Sequence, residues 1–378
     1  MKTWKISKKL RITQQRCILF LILVITAVLI MAWNSRGFTN WYRLHIFPIW
    51  TNLLGRISDW FSGSVGEILI LAGICLVLLE IVLLPLFAVR RSRFLKYRTW
   101  NFRLLCWIFV YIYGTETLNC FVMYHASTVE EQYFQQKDDY GREELIAAYT
   151  QVVTKANELS NKVNRSADGT PVYDGSREEL YEQCVKAMQA QGEVYPYLAG
   201  YYPDPKPIRA SHFMSQQHLL GIYFPFTMEA NYNTVMYPVN VAATICHEYS
   251  HLKGIILEDE ANYFGFVACT EAEDIYLQYS GYLSVLGYLA RQVRTSVPQE
   301  IRQTMETANE QVCKDDVFLT QEQWKQVENK AVFSTETVNK ATNVFLETNL
   351  TMNGVEDGIH SYSRVVRLVV RYYAEKRE

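Results

Sequence analysis

The sequence predicts a membrane-anchored, mainly α-helical protein, with N-terminal transmembrane helices followed by an α-rich domain that carries a small β element. Three observations predict it. Long apolar runs are confined to the first 125 residues, charge is divided unequally along the chain, and apolar residues recur at three-to-four spacing through most of the remainder. The net charge of −2 conceals the division: residues 1–103 hold 15 Lys and Arg against 3 acids, so the rest carries 22 basic and 36 acidic side chains. An acidic domain of this kind lacks the clustered cations that phosphate contacts need, so no nucleic-acid partner is expected. A content of 49% hydrophobic and 14% aromatic residues is enough to bury a core and excludes a disordered chain.

Between Arg16 and Arg36 lie 19 uncharged residues, about the length that crosses a hydrocarbon layer of roughly 30 Å. Residues 68–89 form a second apolar run, interrupted only by Glu80. A third run, 104–125, carries Glu116 and Asn119 in its later half. Three transmembrane helices are therefore predicted at about 17–35, 68–89 and 104–125, and the lipid bilayer is the first partner implied. The first run is too long for a cleaved signal peptide, and MAWNSRGF offers no small-x-small cleavage site, so it reads as a retained anchor. Two basic clusters, the N-terminus and the stretch Arg90–Arg103, belong in the cytoplasm by the positive-inside rule. Three spans then leave residues 126–378 as an extracytoplasmic domain of a multi-pass cell-membrane protein. A buried membrane charge needs a partner, so Glu80 is expected to meet a polar group of the third span.

The segment between the first two spans alternates Trp, Phe, Ile and Leu with polar residues, a pattern that suits an interfacial helix or a short packed loop. Beyond residue 126, the stretches 142–159 and 176–191 repeat apolar residues at helical spacing and open with acids. Residues 195–240 are rich in Pro, Tyr and Gly and read as loops with short strands. Helical patterning resumes at about 239–292 and then at 298–312, 320–330, 334–350 and 360–376. Four cysteines lie in or beside the spans. Cys184, Cys246, Cys269 and Cys313 lie beyond them, and none forms a CxxC pair, which argues against a thiolate metal site and leaves one or two disulfides open.

One segment carries chemistry: His247-Glu248-Tyr249-Ser250-His251, an HExxH. On a helix the two histidines share a face, where both imidazoles reach one Zn²⁺ at about 2.0–2.1 Å. Glu248 lies beside them, where a carboxylate takes the proton of an activated water. Its neighbours Ile245, Tyr249, Ser250 and Leu252 are uncharged, and Gly254 supplies a C-terminal break. A catalytic zinc usually takes a third protein ligand. If a new helix begins near Leu257, Glu258 and Asn262 fall on one face, so that Glu258 binds metal while the Asn262 amide orients a ligand imidazole.

These residues resemble zinc peptidases of the gluzincin type, in which HExxH is followed by Glu-x-x-Ala-(Asp or Asn) on a second helix. The resemblance implies Glu258 as metal ligand and Glu260 as an acid that faces outward or supports the ligands. Only six residues separate His251 from Glu258, fewer than many gluzincins have, so the turn at Gly254 must be tight. A metzincin pattern fails because Leu257 stands where a third histidine belongs. Glu271 is a rival ligand at a longer separation, with Ile275 in place of the expected partner acid.

Over most of its length the chain resembles a bacterial domain-of-unknown-function family, number 3810, whose members look like a membrane region followed by a zincin-like domain. The matching segments are Ser64–Glu67, Phe224–Asn231, HEYSHLKG at 247–254 and EDEAN at 258–262. The activity these resemblances imply is a zinc metalloendopeptidase acting on a protein or peptide substrate at the outer face of the cytoplasmic membrane. The alternatives are a non-enzymatic zinc-stabilised receptor or scaffold, and a zinc hydrolase of another envelope substrate. Residues 221–227 read as an edge strand along which a peptide could align, or as a structural strand. His360, Tyr362 and Arg364 are candidate donors to a tetrahedral oxyanion, with core or surface roles as the alternative. His212 and His218 have the same standing.

Overall fold

The computed structural model describes residues 2–134, 139–353 and 362–376. Contacts divide the chain into two units: Met1–Ala126 with Phe224–Met228, and Ser127–Tyr223 with Glu229–Glu378.

The first unit is built on helices α1 (Lys2–Asn34), α2 (Arg36–His45), α3 (Val65–Val89) and α4 (Arg91–Glu116). Three segments, Thr13–Asn34, Val65–Val89 and Arg93–His125, are long and apolar enough to cross a membrane. Phe20 and Leu23 on α1, Ile81 on α3 and Phe109 on α4 are each more than half exposed, a surface that suits hydrocarbon as solvent. The third segment starts well before the expected residue 104. Its charged start stays helical because Arg98 Nε and Asn101 Nδ2 donate to the two oxygens of Glu80 at 2.9 and 3.0 Å. Glu80 thus finds its partners at the beginning of α4. Between α1 and α3 the chain is almost wholly helical. Trp41, Leu44, Ile49, Leu53, Ile57 and Trp60 are exposed in a run of mostly three-to-four spacing, while Tyr42 and Phe47 are buried. Beyond α4 a π-helical turn, Thr117–Phe121, brings the Asn119 amide to the Pro225 carbonyl at 2.8 Å. The Tyr111 hydroxyl donates to the carbonyl of Phe226.

The second unit contains α5 (Arg142–Ser160) and α6 (Arg177–Ala190), whose start is held by a Ser176–Glu179 capping box. A three-stranded sheet follows: β1 (Lys206–Ile208), β2 (Gly221–Phe224) and β3 (Glu229–Asn233), in the order β1-β3-β2. β1 pairs parallel with β3, with Lys206 opposite Asn231. β2 is an edge strand. The helical patterning expected over 239–292 resolves into α7 (Asn240–His251), α8 (Glu258–Glu271) and α9 (Ile275–Ser296). Two breaks explain the division: Gly254 at φ +77°, and Asp274, whose side chain accepts the Leu277 N–H at 3.0 Å. Tyr249, Tyr263, Phe264, Phe266 and Tyr279 from these three helices are fully buried. Each such burial contributes on the order of 1.5–3 kcal/mol.

The helix expected at 298–312 is instead two short ones, Gln299–Arg302 and Glu310–Asp315. Asn309 caps the second, and the Thr307 carbonyl between them takes a 3.0 Å hydrogen bond from Asn157 of α5 in place of a helical one. Asp315, fully buried, is tolerated because Arg165, Tyr237, Tyr279 and Gln311 all donate to it. Helices Gln321–Lys330 and Thr335–Met352 follow, and α10 (Tyr362–Glu375) packs on α5, α8 and α9.

Candidate metal centre

α7 is an inward-facing helix whose last turn ends the HExxH. Gly254 donates to the His251 carbonyl at 3.0 Å, and Ile255 donates to the Ser250 carbonyl at 3.2 Å. These are the two hydrogen bonds of a Schellman motif, with Gly254 in the left-handed conformation. The reversal lets α8 begin at Glu258, facing the helix it has just left.

His247 and His251 stand one turn apart with ring centroids 4.8 Å apart and planes perpendicular. Glu258 lies across from them, with carboxylate oxygens 3.2 Å from His247 Nε2 and 3.7 Å from His251 Nε2. Both Nδ1 atoms are occupied: Asn262 Oδ1 lies 3.1 Å from that of His247, and the Ile255 carbonyl 2.7 Å from that of His251. Those acceptors hold a proton on each Nδ1, so Nε2 is the nitrogen that each ring turns to the common centre, where that of His247 meets the Glu258 carboxylate. Two ligand atoms bonded at about 2.0–2.1 Å to one tetrahedral ion lie about 3.4 Å apart. The observed separations bracket that value, so the donor set fits Zn²⁺.

Glu248 sits beside this triangle, with Oε1 3.9 Å from His247 Nε2. Ligand-type atoms of His247, Glu248 and His251 lie within 4.8 Å of one another. The second oxygen of Glu248 is buried without a hydrogen-bond partner among the described residues. Strand β2 closes in from the other side. A Cβ on Gly221 would lie 2.3 Å from Glu248 Oε1, so only glycine lets the backbone approach the carboxylate this closely. The Tyr223 ring centroid lies 5.9 Å from that of His251.

The charges are arranged for a cation. Burial pushes the Glu248 carboxyl up to about 8, with His247 pulling against it and Glu258 pushing further. Burial would lower His247, but the hydrogen bond and charge of Glu258 overcome it and raise that imidazole to about 9. His251 is held down to about 4 by burial. Glu258 is crowded by its neighbours yet 54% of its side chain reaches solvent. Desolvation there would raise its carboxyl, but the His247 hydrogen bond and both imidazoles hold it down to about 2. A fixed anion between two imidazoles is where a divalent ion replaces a proton.

The other sequence candidates fall elsewhere. Glu260, expected to face outward or to support the ligands and without a polar partner at the helical offset, is buried and accepts the Val129 N–H at 2.5 Å. Glu271 accepts from Tyr372, Gln191 and Lys376 at the far end of α8. Arg364 pairs with Asp259 at 3.0 Å, so its guanidinium is engaged on α8 instead of waiting for an oxyanion. Tyr362 opens α10, and His360 lies outside the described residues. His212 meets Lys330 at 3.1 Å, and His218 packs near Phe318 and Trp324. Of the thiols, Cys246 and Cys269 approach to 3.6 Å, but all eight cysteines are free. Sequence reasoning missed the Gly221 and Ile255 contacts; the Gly254 turn was the one signal that could have pointed to the second.

Fold and site together define a mainly helical protein with apolar, membrane-compatible N-terminal helices, a small sheet, and a cluster of two histidines and two glutamates on adjacent helices. The chain belongs to the family described as Protein of unknown function (DUF3810), which it matches over residues 42–370. No curated protein and no solved structure matches it.

Proposed function

We propose that this protein is a membrane-bound zinc metallopeptidase with a gluzincin-like domain, acting at the outer face of the cytoplasmic membrane. The observation that carries the reading is the convergence of His247 Nε2, His251 Nε2 and the Glu258 carboxylate, with both Nδ1 atoms already satisfied and Glu248 beside them. His247, His251 and Glu258 would hold Zn²⁺, which would supply a Lewis acid for a scissile carbonyl and for water. Glu248 takes the proton from the attacking water and returns it to the leaving amine, and its buried position keeps that proton from solvent. As an outer strand, β2 offers main-chain groups along which a peptide can lie beside Glu248. A structural zinc site needs the histidines but has no use for that carboxylate, which favours hydrolysis over a scaffold.

The test is the metal content of the purified full-length protein, joined to a screen against peptide and non-peptide envelope substrates. One zinc per chain with peptide cleavage is expected. Zinc without any hydrolysis would favour the scaffold, and hydrolysis confined to a non-peptide substrate would replace the peptidase reading. Topology is checked separately: by the positive-inside rule the basic clusters at the N-terminus and at Arg90–Arg103 support a C-terminus outside. A reporter active only outside the cytoplasm, fused after Glu378, should be active. An inactive reporter there would remove the three-span arrangement.

A further inference from the structure

Glu258 is the first residue of α8, and its N-cap, Leu257, has no side chain to hold the helix start. The N–H groups of a first turn need partners, and the Asp259 carboxyl takes up those of Asp259 and Glu260. The turn is also held from outside by these same two residues. Asp259, almost fully buried, meets Arg364 of α10 at 3.0 Å. Glu260 accepts the backbone N–H of Val129, at the start of the short helix Val129–Tyr133. Successive helical residues point about 100° apart, so residues 258, 259 and 260 face three directions, and each direction has a partner. The histidines take the first, α10 the second and the short helix the third.

We propose that Arg364, through Asp259, is a positioning residue that fixes the rotation of α8 and so aims Glu258 at His247 and His251. This rests on the reading of Glu258 as a metal ligand. A side-chain end lies about 5–6 Å from a helix axis, so a 20° rotation moves a carboxylate by about 2 Å, the length of a metal–oxygen bond. Removing Arg364 also leaves Asp259 as an uncompensated buried carboxylate, which favours such a shift toward water. The C-terminal helix is thereby part of the metal site without touching the metal.

The experiment uses the full-length protein with Arg364→Ala, Arg364→Lys, Asp259→Asn and, as control, Arg371→Ala, which removes a different α10 ion pair, with Glu144 of α5. Two quantities are read: amide hydrogen exchange over Ala261–Phe264 in the metal-free protein, and Zn²⁺ affinity by competition with a chelator. Arg364→Ala is expected to speed exchange in that stretch and to weaken zinc about 10–100-fold, the scale of losing a ligand's support. Arg364→Lys should recover most of both, and Arg371→Ala should change neither beyond a general loss of stability. If Arg364→Ala does not fold, Asp259→Asn keeps the shape of the pair and takes its place in both measurements. Unchanged exchange in the variant that folds, or equal losses in Arg371→Ala, would overturn the proposal. Absence of zinc from the wild-type protein would instead overturn the metal reading, and the exchange arm would still decide the positioning.

Discussion

Glu258→Ala is expected to lose stoichiometric zinc, while Glu260→Ala and Glu271→Ala keep it at saturation and Asn262→Ala holds it about 10–100-fold more weakly. The measurement is metal analysis of each purified variant after equilibration at one free zinc concentration. The ordering follows from position. Glu258 is the only one of the three glutamates whose oxygens face both imidazoles, at 3.2 and 3.7 Å. Glu260 turns its carboxylate to Val129. Glu271, thirteen residues along α8 and so about 20 Å from its start, is taken up by Lys376, Tyr372 and Gln191. Asn262 touches His247 and not the centre, so its loss frees an imidazole without removing a ligand. Full occupancy in Glu258→Ala beside loss in Glu260→Ala would show that the ligand is the other carboxylate.

Much of this arrangement is legible in the sequence because it is local and periodic. His247 and His251, and Glu258 and Asn262, are i,i+4 pairs, and a helix puts such pairs on one face whatever surrounds it. Gly254 marks the reversal between the two helices because few other residues accept a φ of +77°. The rest depends on contacts that no periodicity encodes. Glu260 lies 131 positions from the amide it binds, and Arg364 is 105 residues from Asp259, with five intervening helices among the described residues free to place it elsewhere. The close approach of Gly221 to Glu248 is likewise a property of the sheet edge and not of either residue's neighbours. The third apolar helix begins earlier than hydropathy predicts for a related reason: Glu80, about twenty residues earlier, pairs with Arg98 and accepts from Asn101, a contact that hydropathy does not encode. The periodicity of residues 298–312 predicts one helix because it says nothing of Asn157, which captures the carbonyl at the break.

Glu248→Gln should retain one zinc per chain and lose hydrolysis by about 10²-fold or more, the scale of removing general acid–base assistance. Glutamine keeps the shape of the side chain, so the close contact with Gly221 survives and the helix that carries both histidines is not disturbed. What it cannot do is accept a proton. Without metal, burial lifts the Glu248 carboxyl to about 8, so the side chain sits where its proton affinity is raised and a carboxylate can serve as base and then as acid. Its buried oxygen has no hydrogen-bond partner among the described residues, so no described side chain holds it away from a proton. The comparison is made at saturating zinc on the best peptide from the substrate screen, with kcat as the measured quantity, so that a change in metal affinity cannot imitate a loss of chemistry. A variant that keeps its zinc and cleaves as fast as wild type would remove Glu248 from the reaction and leave the two histidines and Glu258 as a site that binds metal for the sake of structure.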